Sequence, residues 1–133
     1  MTQAPDAQLD YPCGEPPAPG DTREIAPGVH WIRMPLPFAL DHINLWLLED
    51  GDGLTVVDTG YGLDVTRAAW ETILARFARP VTRIVVTHCH PDHLGLAQWL
   101  AERTGAPVHL TLGEFLAAHA LWHQLPGYNV GSM

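Results

Sequence analysis

Three histidines and an aspartate fall within the short run Thr87-His88-Cys89-His90-Pro91-Asp92-His93. Imidazole nitrogens and carboxylate oxygens are the donors that a zinc-like ion takes. In extended chain His88 and His90 point the same way, because side chains two apart share a face. Pro91 then bends the path, so that Asp92 and His93 arrive at the start of a helix and face the same hollow. An ion held there with open coordination positions would lower the pKa of a bound water toward neutrality and so supply a nucleophile. Four specified residues at this spacing arise by accident in on the order of one such chain in several hundred, so a chance surface cluster is the weaker reading.

The elements around this run are legible. Leu54–Asp58 reads as a strand, Asp64–Ala78 as a helix with Trp70, Ile73, Leu74 and Phe77 on one face, and Arg83–Thr87 as a buried strand. Such a β-α-β crossover is right-handed and makes its strands parallel. Both strands then end at the same edge of the sheet, where ligands of open α/β sheets bind. Asp58 and the His88–His93 run are thereby brought side by side, with Asp58 placed to accept a hydrogen bond that orients a ligand imidazole or the loop. Upstream, Glu24-Ile25 and Val29–Met34 around Ala26-Pro27-Gly28 read as a hairpin. Ile43–Glu49 pairs with Leu54–Asp58 across Asp50-Gly51-Asp52-Gly53. Downstream come a helix at about Leu94–Arg103 ending at Gly105, a short strand Ala106–Leu110, and a helix opened by Thr111 and Glu114 as a capping box. Leu112, Phe115, Leu116 and His119 share a face of that last helix, and Trp70, Phe77 and Phe115 are assigned to the core.

Composition narrows the class. The chain has 133 residues, 47% apolar and 17% charged, which fits one globular domain with a core of its own. Its net charge is −8 and all seven basic residues are arginine, which argues against a non-specific nucleic-acid binder. The N-terminus has neither the basic nor the apolar region of a signal peptide. The apolar stretch Ile43–Leu48 is too short to span a bilayer. Two cysteines make no disulfide framework. The expectation is a soluble cytoplasmic protein acting on a small molecule, with neither membrane nor nucleic acid as partner. Residues 1–22, with Pro5, Pro12, Pro16, Pro17 and Pro19, read as an acidic extended arm anchored at most by Leu9 and Tyr11.

Thr87-His88-Cys89-His90-Pro91-Asp92-His93-Leu94-Gly95 resembles the H-x-H-x-D-H signature of the metallo-β-lactamase superfamily. Val56-Val57-Asp58-Thr59-Gly60 resembles its upstream Asp-Thr-Gly turn. The resemblance covers about residues 23–125. It implies an α/β fold: the N-terminal half of a four-layer αββα sandwich, a mixed sheet with helices packed on one face. It also implies that His88 and His90 bind a first metal and that Asp92 and His93 serve a second, with Asp92 also a catalytic proton acceptor and Asp58 behind them. Zinc is the implied ion, binuclear in the complete protein, with iron or manganese as substitutes. The family's third histidine for each metal and its bridging aspartate come from later elements, and none can be assigned here. His109 falls on a strand too early, and His119 and His123 lie on the helix after it.

The implied activity is hydrolysis of an ester, thioester or related bond by metal-activated water. A non-catalytic metal-binding or assembly half-domain is the alternative, followed by a nuclease-type or iron-dependent sulfur-oxidising relative. With about four of roughly seven ligands and an unpatterned tail at 126–133, the chain reads as a truncated, inactive half. Its bare apolar sheet face is expected to self-associate or to need a partner chain.

Lesser candidates carry competing readings. Cys89 is turned away from the hollow and reads as a structural thiol. His119 and His123 read as helix-surface residues rather than a metal clip. Asp41-His42 either cap a loop or line the pocket mouth. Phe38, Leu40 and Trp31 are core residues or a hydrophobic substrate flap.

Overall fold

Period-two patterning between Val29 and Asp50 forms strands with one face buried, and the rest of the sheet grows from them. In the computed structural model, residues 9–125 are described. β1 (Thr22–Ala26), β2 (Val29–Pro35), β3 (His42–Asp50) and β4 (Gly53–Val57) are consecutive antiparallel strands. β5 (Val81–Val85) and β6 (Val108–His109) then add in parallel, giving a mixed six-stranded sheet in sequence order. The crossover between β4 and β5 is α1 (Asp64–Phe77), and α2 (Pro91–Leu94), α3 (Ala97–Thr104) and α4 (Leu112–Trp122) follow.

One face of the sheet is the core. Ile32 and Met34 of β2, Leu45 and Leu47 of β3, Val56 of β4 and Ile84 of β5 are fully buried there against Trp70 and Ile73 of α1 and Leu100 of α3. Burying each of these aliphatic side chains contributes about 1.5–3 kcal/mol before entropy is counted. The opposite face places Trp31 beside Trp46, Trp46 beside Val57, and Val57 beside Val85, and leaves all four half-exposed.

Several expectations need correcting. Leu9 and Tyr11 anchor nothing, at 72% and 73% exposed. Pro17 is buried instead, Arg23 donates to the Glu15 carbonyl, and Arg76 pairs with Asp21 at 2.5 Å. The helix expected at Leu94–Arg103 is instead two: α2, which Pro91 opens a turn early, and α3, parted at Gly95-Leu96, where the Leu96 N–H goes to Thr59 Oγ1. Trp70 is core, but Phe115 is 46% exposed, and Leu112 and Leu116 are exposed too. The apolar face of α4 does not pack onto the sheet. The strand expected at Arg83–Thr87 ends at Val85, and the first eight residues of the arm and the tail at 126–133 lie outside the described residues.

Ion pairs staple the periphery. His30 and Arg79 hold the Glu49 carboxyl below its ordinary range, and Arg103 does the same to Glu71 through a two-pronged contact at 2.8 and 2.9 Å. The Thr22 N–H and then Arg76 lower Asp21. Carboxyls depressed in the folded state contribute stability above their unfolded pKa, about 4, and lose it as pH falls through the folded values. Thermal unfolding should therefore be flat from pH 7 to about 5 and decline below about 4. Glu71→Gln should soften the acid limb only slightly, because both partners are solvent-exposed. A melting series from pH 7 to 3 checks this.

Candidate metal centre

The chain leaves β4 through a sharp corner. Asp58 has φ +62°, a left-handed conformation unusual for a residue with a side chain, and is only 4% exposed. Its N–H donates to Val85 O at 2.8 Å, which locks the corner to β5. A buried carboxylate is costly unless its oxygens are paired. Here Oδ1 accepts from the Thr87 N–H at 2.8 Å, and Oδ2 accepts from Thr87 Oγ1 at 2.8 Å and from His93 Nδ1 at 2.7 Å.

These contacts fix the imidazoles. Thr87 has one hydroxyl proton, and it goes to Asp58. Its contact with His88 Nδ1 at 2.8 Å must therefore use an Nδ1–H of His88 as the donor. His93 likewise donates from Nδ1 to Asp58. Both rings then carry their lone pair on Nε2, the form needed to bind an ion. One carboxylate thus sets two tautomers, one directly and one through a hydroxyl.

The four candidate ligands gather at this edge. The His88 ring lies 4.7 Å from that of His90 and 3.9 Å from that of His93, centre to centre. Asp92 Oδ2 is 3.5 Å from His93 Nε2. His90 is the N-cap of α2, and its carbonyl accepts from the N–H groups of His93 and Leu94. Pro91 opens that single turn and swings Asp92 and His93 back toward His88.

Thr59 ties the two loops together, a role that its place in the Asp58-Thr59-Gly60 turn does not by itself announce. Its N–H and hydroxyl both donate to His93 O at 2.8 Å, Leu96 N–H donates to its Oγ1, and Trp70 Nε1 donates to its carbonyl. Thr87 was also unassigned. The signal available for both was a hydroxyl residue beside a charged one at the end of a buried strand.

Glu114 departs from its expected capping box. Thr111 Oγ1 accepts from the Glu114 N–H, but the Glu114 carboxylate reaches the Cys89 N–H at 2.7 Å instead of returning to Thr111. α4 is thereby pinned to the histidine loop by one charged contact. The Cys89 N–H holds Glu114 below the usual carboxylate range, while burial and then Glu114 push the Cys89 thiol up. That thiol stays protonated at neutral pH, as a structural cysteine does. His119 and His123 stack on the exposed side of α4 at 5.9 Å, and His109 is exposed on β6. None of the three joins the cluster.

Among the described residues, one group of three metal-capable side chains has its ligand atoms all within 4.8 Å of one another: Glu24, His30 and Glu49. It lies at the opposite edge of the sheet, and its atoms are spent. Glu49 pairs with His30 Nε2 and with Arg79, each at 2.9 Å, and Glu24 accepts from the Gly28 N–H. The Arg79 charge opposes a second cation, so this group is a staple. The His88–His93 donors are spread more widely, but their chemistry, three imidazoles with Nε2 available on two and a carboxylate beside them, fits a zinc-like ion.

The metallo-β-lactamase superfamily profile matches residues 39–130, more than half the chain. The chain belongs to the metallo-β-lactamase superfamily, a group of metal-dependent hydrolases. It is 37% identical over 68 residues to the probable metallo-hydrolase YqjP of Bacillus subtilis, covering 49% of this chain and 21% of that one. A β-lactamase domain protein from Burkholderia ambifaria superposes with a TM-score of 0.79 at 50% identity, over 85% of this chain and 36% of that one. A metallo-β-lactamase family protein from Thermus thermophilus gives 0.68 at 34% identity, over 79% and 36%. The chain thus spans about a fifth to a third of these relatives' length. Among the described residues no helix is long and apolar enough to cross a membrane.

Proposed function

We propose that the protein is a metal-dependent hydrolase of small molecules, acting on an ester, thioester or related bond, with zinc held by His88, His90, Asp92 and His93. The observation that carries this reading is the His93–Asp58–Thr87–His88 hydrogen-bond chain, which presents Nε2 of two rings at the sheet edge where substrates of open α/β folds bind. The ion would supply Lewis-acid activation of water and of the substrate's electrophile. Asp58 orients the rings, and Asp92, half-buried beside His93 Nε2, would accept a proton from the attacking water. In this reading the chain divides into an arm at 1–22, a metallo-hydrolase half at 23–125 and a tail at 126–133. The remaining ligands would come from elsewhere in the protein or from a partner chain.

Zinc titration of the metal-free chain, followed through histidine ring resonances, tests the site. His88, His90 and His93 should shift together while His30, His109, His119 and His123 stay still. Shifts centred on His30 would move the site to the Glu24–His30–Glu49 group and sink this assignment. No shift at any histidine would sink it too.

A further inference from the structure

Every cation in the chain is an arginine, and among the described residues all but one are committed. Arg67, Arg76, Arg79, Arg83 and Arg103 each pair with an acid, and Arg23 donates to the Glu15 carbonyl. Arg33 has neither an acid within ion-pair distance nor a backbone carbonyl partner among the described residues, although its charge adds to the His42 contact in lowering the nearby Asp41 carboxyl. It is nonetheless held. Its Nε donates to Asn44 Oδ1 at 3.3 Å, the same oxygen takes the Trp31 indole N–H at 2.9 Å, and the guanidinium carbon lies 5.5 Å from the Trp31 ring centre. Both Nη groups make no hydrogen bond among the described residues. A guanidinium fixed at one edge, with its fork open, is pre-organised for two-pronged recognition of an oxyanion.

Its place in the sheet gives that fork a use. Arg33 is paired with Asn44, while Trp46, two residues further along β3, is paired with Val57, the residue before Asp58. Arg33 therefore stands at the edge that carries the histidine loop, two strand spacings or about 10 Å from the end of β4. Beside it is a cleft of about 220 Å³ lined by Pro19, Met34, Pro35, Asp41 and His42. Asp41, the acid in that wall, is committed to His42 Nδ1 at 2.7 Å. On a chain of net charge −8, an anionic substrate would be repelled unless one point of the site attracted it.

We infer that Arg33 anchors an oxyanion group of the substrate, a carboxylate, sulfate or phosphate, whose cleaved bond lies at the histidine loop on the same edge of the sheet. Only the place of the cleaved bond rests on the hydrolase reading. The anion site itself needs no metal, so it is tested on the chelator-treated 133-residue chain. Acetate, sulfate and phosphate are titrated separately at constant ionic strength against chloride, following the Trp31 indole and Asn44 amide resonances.

At least one of the three should give a saturable shift. Arg33→Gln should weaken it by roughly tenfold or more, and Arg33→Lys, which keeps charge but loses the fork, by roughly threefold. The lysine variant also serves if the glutamine variant fails to fold. No saturable shift with any anion, or equal affinity in the lysine variant, overturns the inference. Failure of zinc to bind in the separate titration would leave the anion site standing and remove only the hydrolase reading.

Discussion

Asp58→Asn should lower zinc affinity by roughly 10–100-fold while leaving the fold in place. The backbone reason for a severe effect is absent, because asparagine accepts the left-handed conformation that Asp58 adopts. The side chain keeps its shape but exchanges one acceptor oxygen for a donor. If the amide oxygen keeps the Thr87 N–H, the new NH₂ faces Thr87 Oγ1 and His93 Nδ1, where Oδ2 accepted from both. His93 must then present a lone pair on Nδ1 and carry its proton on Nε2. Thr87, now accepting from the amide, turns its hydroxyl proton toward His88 Nδ1, and His88 flips in the same sense. One atom thus withdraws two ligand lone pairs.

Ring-nitrogen NMR of the metal-free variant reads the tautomers directly, and a zinc titration reads the affinity. A purely structural role would lower the melting temperature and leave the tautomers unchanged. Wild-type tautomers together with wild-type affinity would sink the account.

How much of this was readable beforehand depends on which interactions are local. The β3–β4 hairpin, the parallel β4–β5 pair and α1 follow from periodicity and turn chemistry, and the histidine run announces itself by spacing. The crossover rule alone brought Asp58 to the histidine loop. Three other features rest on contacts distant in sequence. Glu114 looked like a self-contained cap, yet its carboxylate serves Cys89, 25 residues away. Phe115 has helical spacing with Leu112 and Leu116, but spacing gives a face without saying what it packs on. The break between α2 and α3 is set by Thr59, whose hydroxyl accepts the Leu96 N–H, and nothing around Leu96 encodes that partner.

Gly95 shows the same limit in a form that can be measured. It has φ −54° and ψ −35°, ordinary helical angles that alanine prefers. Propensity alone therefore predicts that Gly95→Ala stabilises the chain by about 0.5–1 kcal/mol. Sterics predict the reverse. A Cβ there would stand 2.3 Å from Pro91 O and 2.8 Å from Gly60 O, both backbone atoms that no rotamer can move. Overpacking against such atoms costs about 1–3 kcal/mol and often more, so the steric effect wins.

The expected result is a melting temperature lower by roughly 10 °C, or failure to fold. Gly105→Ala is the control. Its φ of +76° carries a left-handed strain of about 1–2 kcal/mol, but nothing lies within 4 Å of the added carbon. Dihedral angles rank the Gly105 variant as the worse, and contacts rank the Gly95 variant so. A smaller loss at Gly95 than at Gly105 would mean that the Pro91 and Gly60 carbonyls yield, and with them the close packing of the Asp58–Gly60 turn on the histidine loop. Because that packing holds His93 O against Thr59, the Gly95 variant should also weaken zinc binding, whereas the Gly105 variant should bind as the parent does.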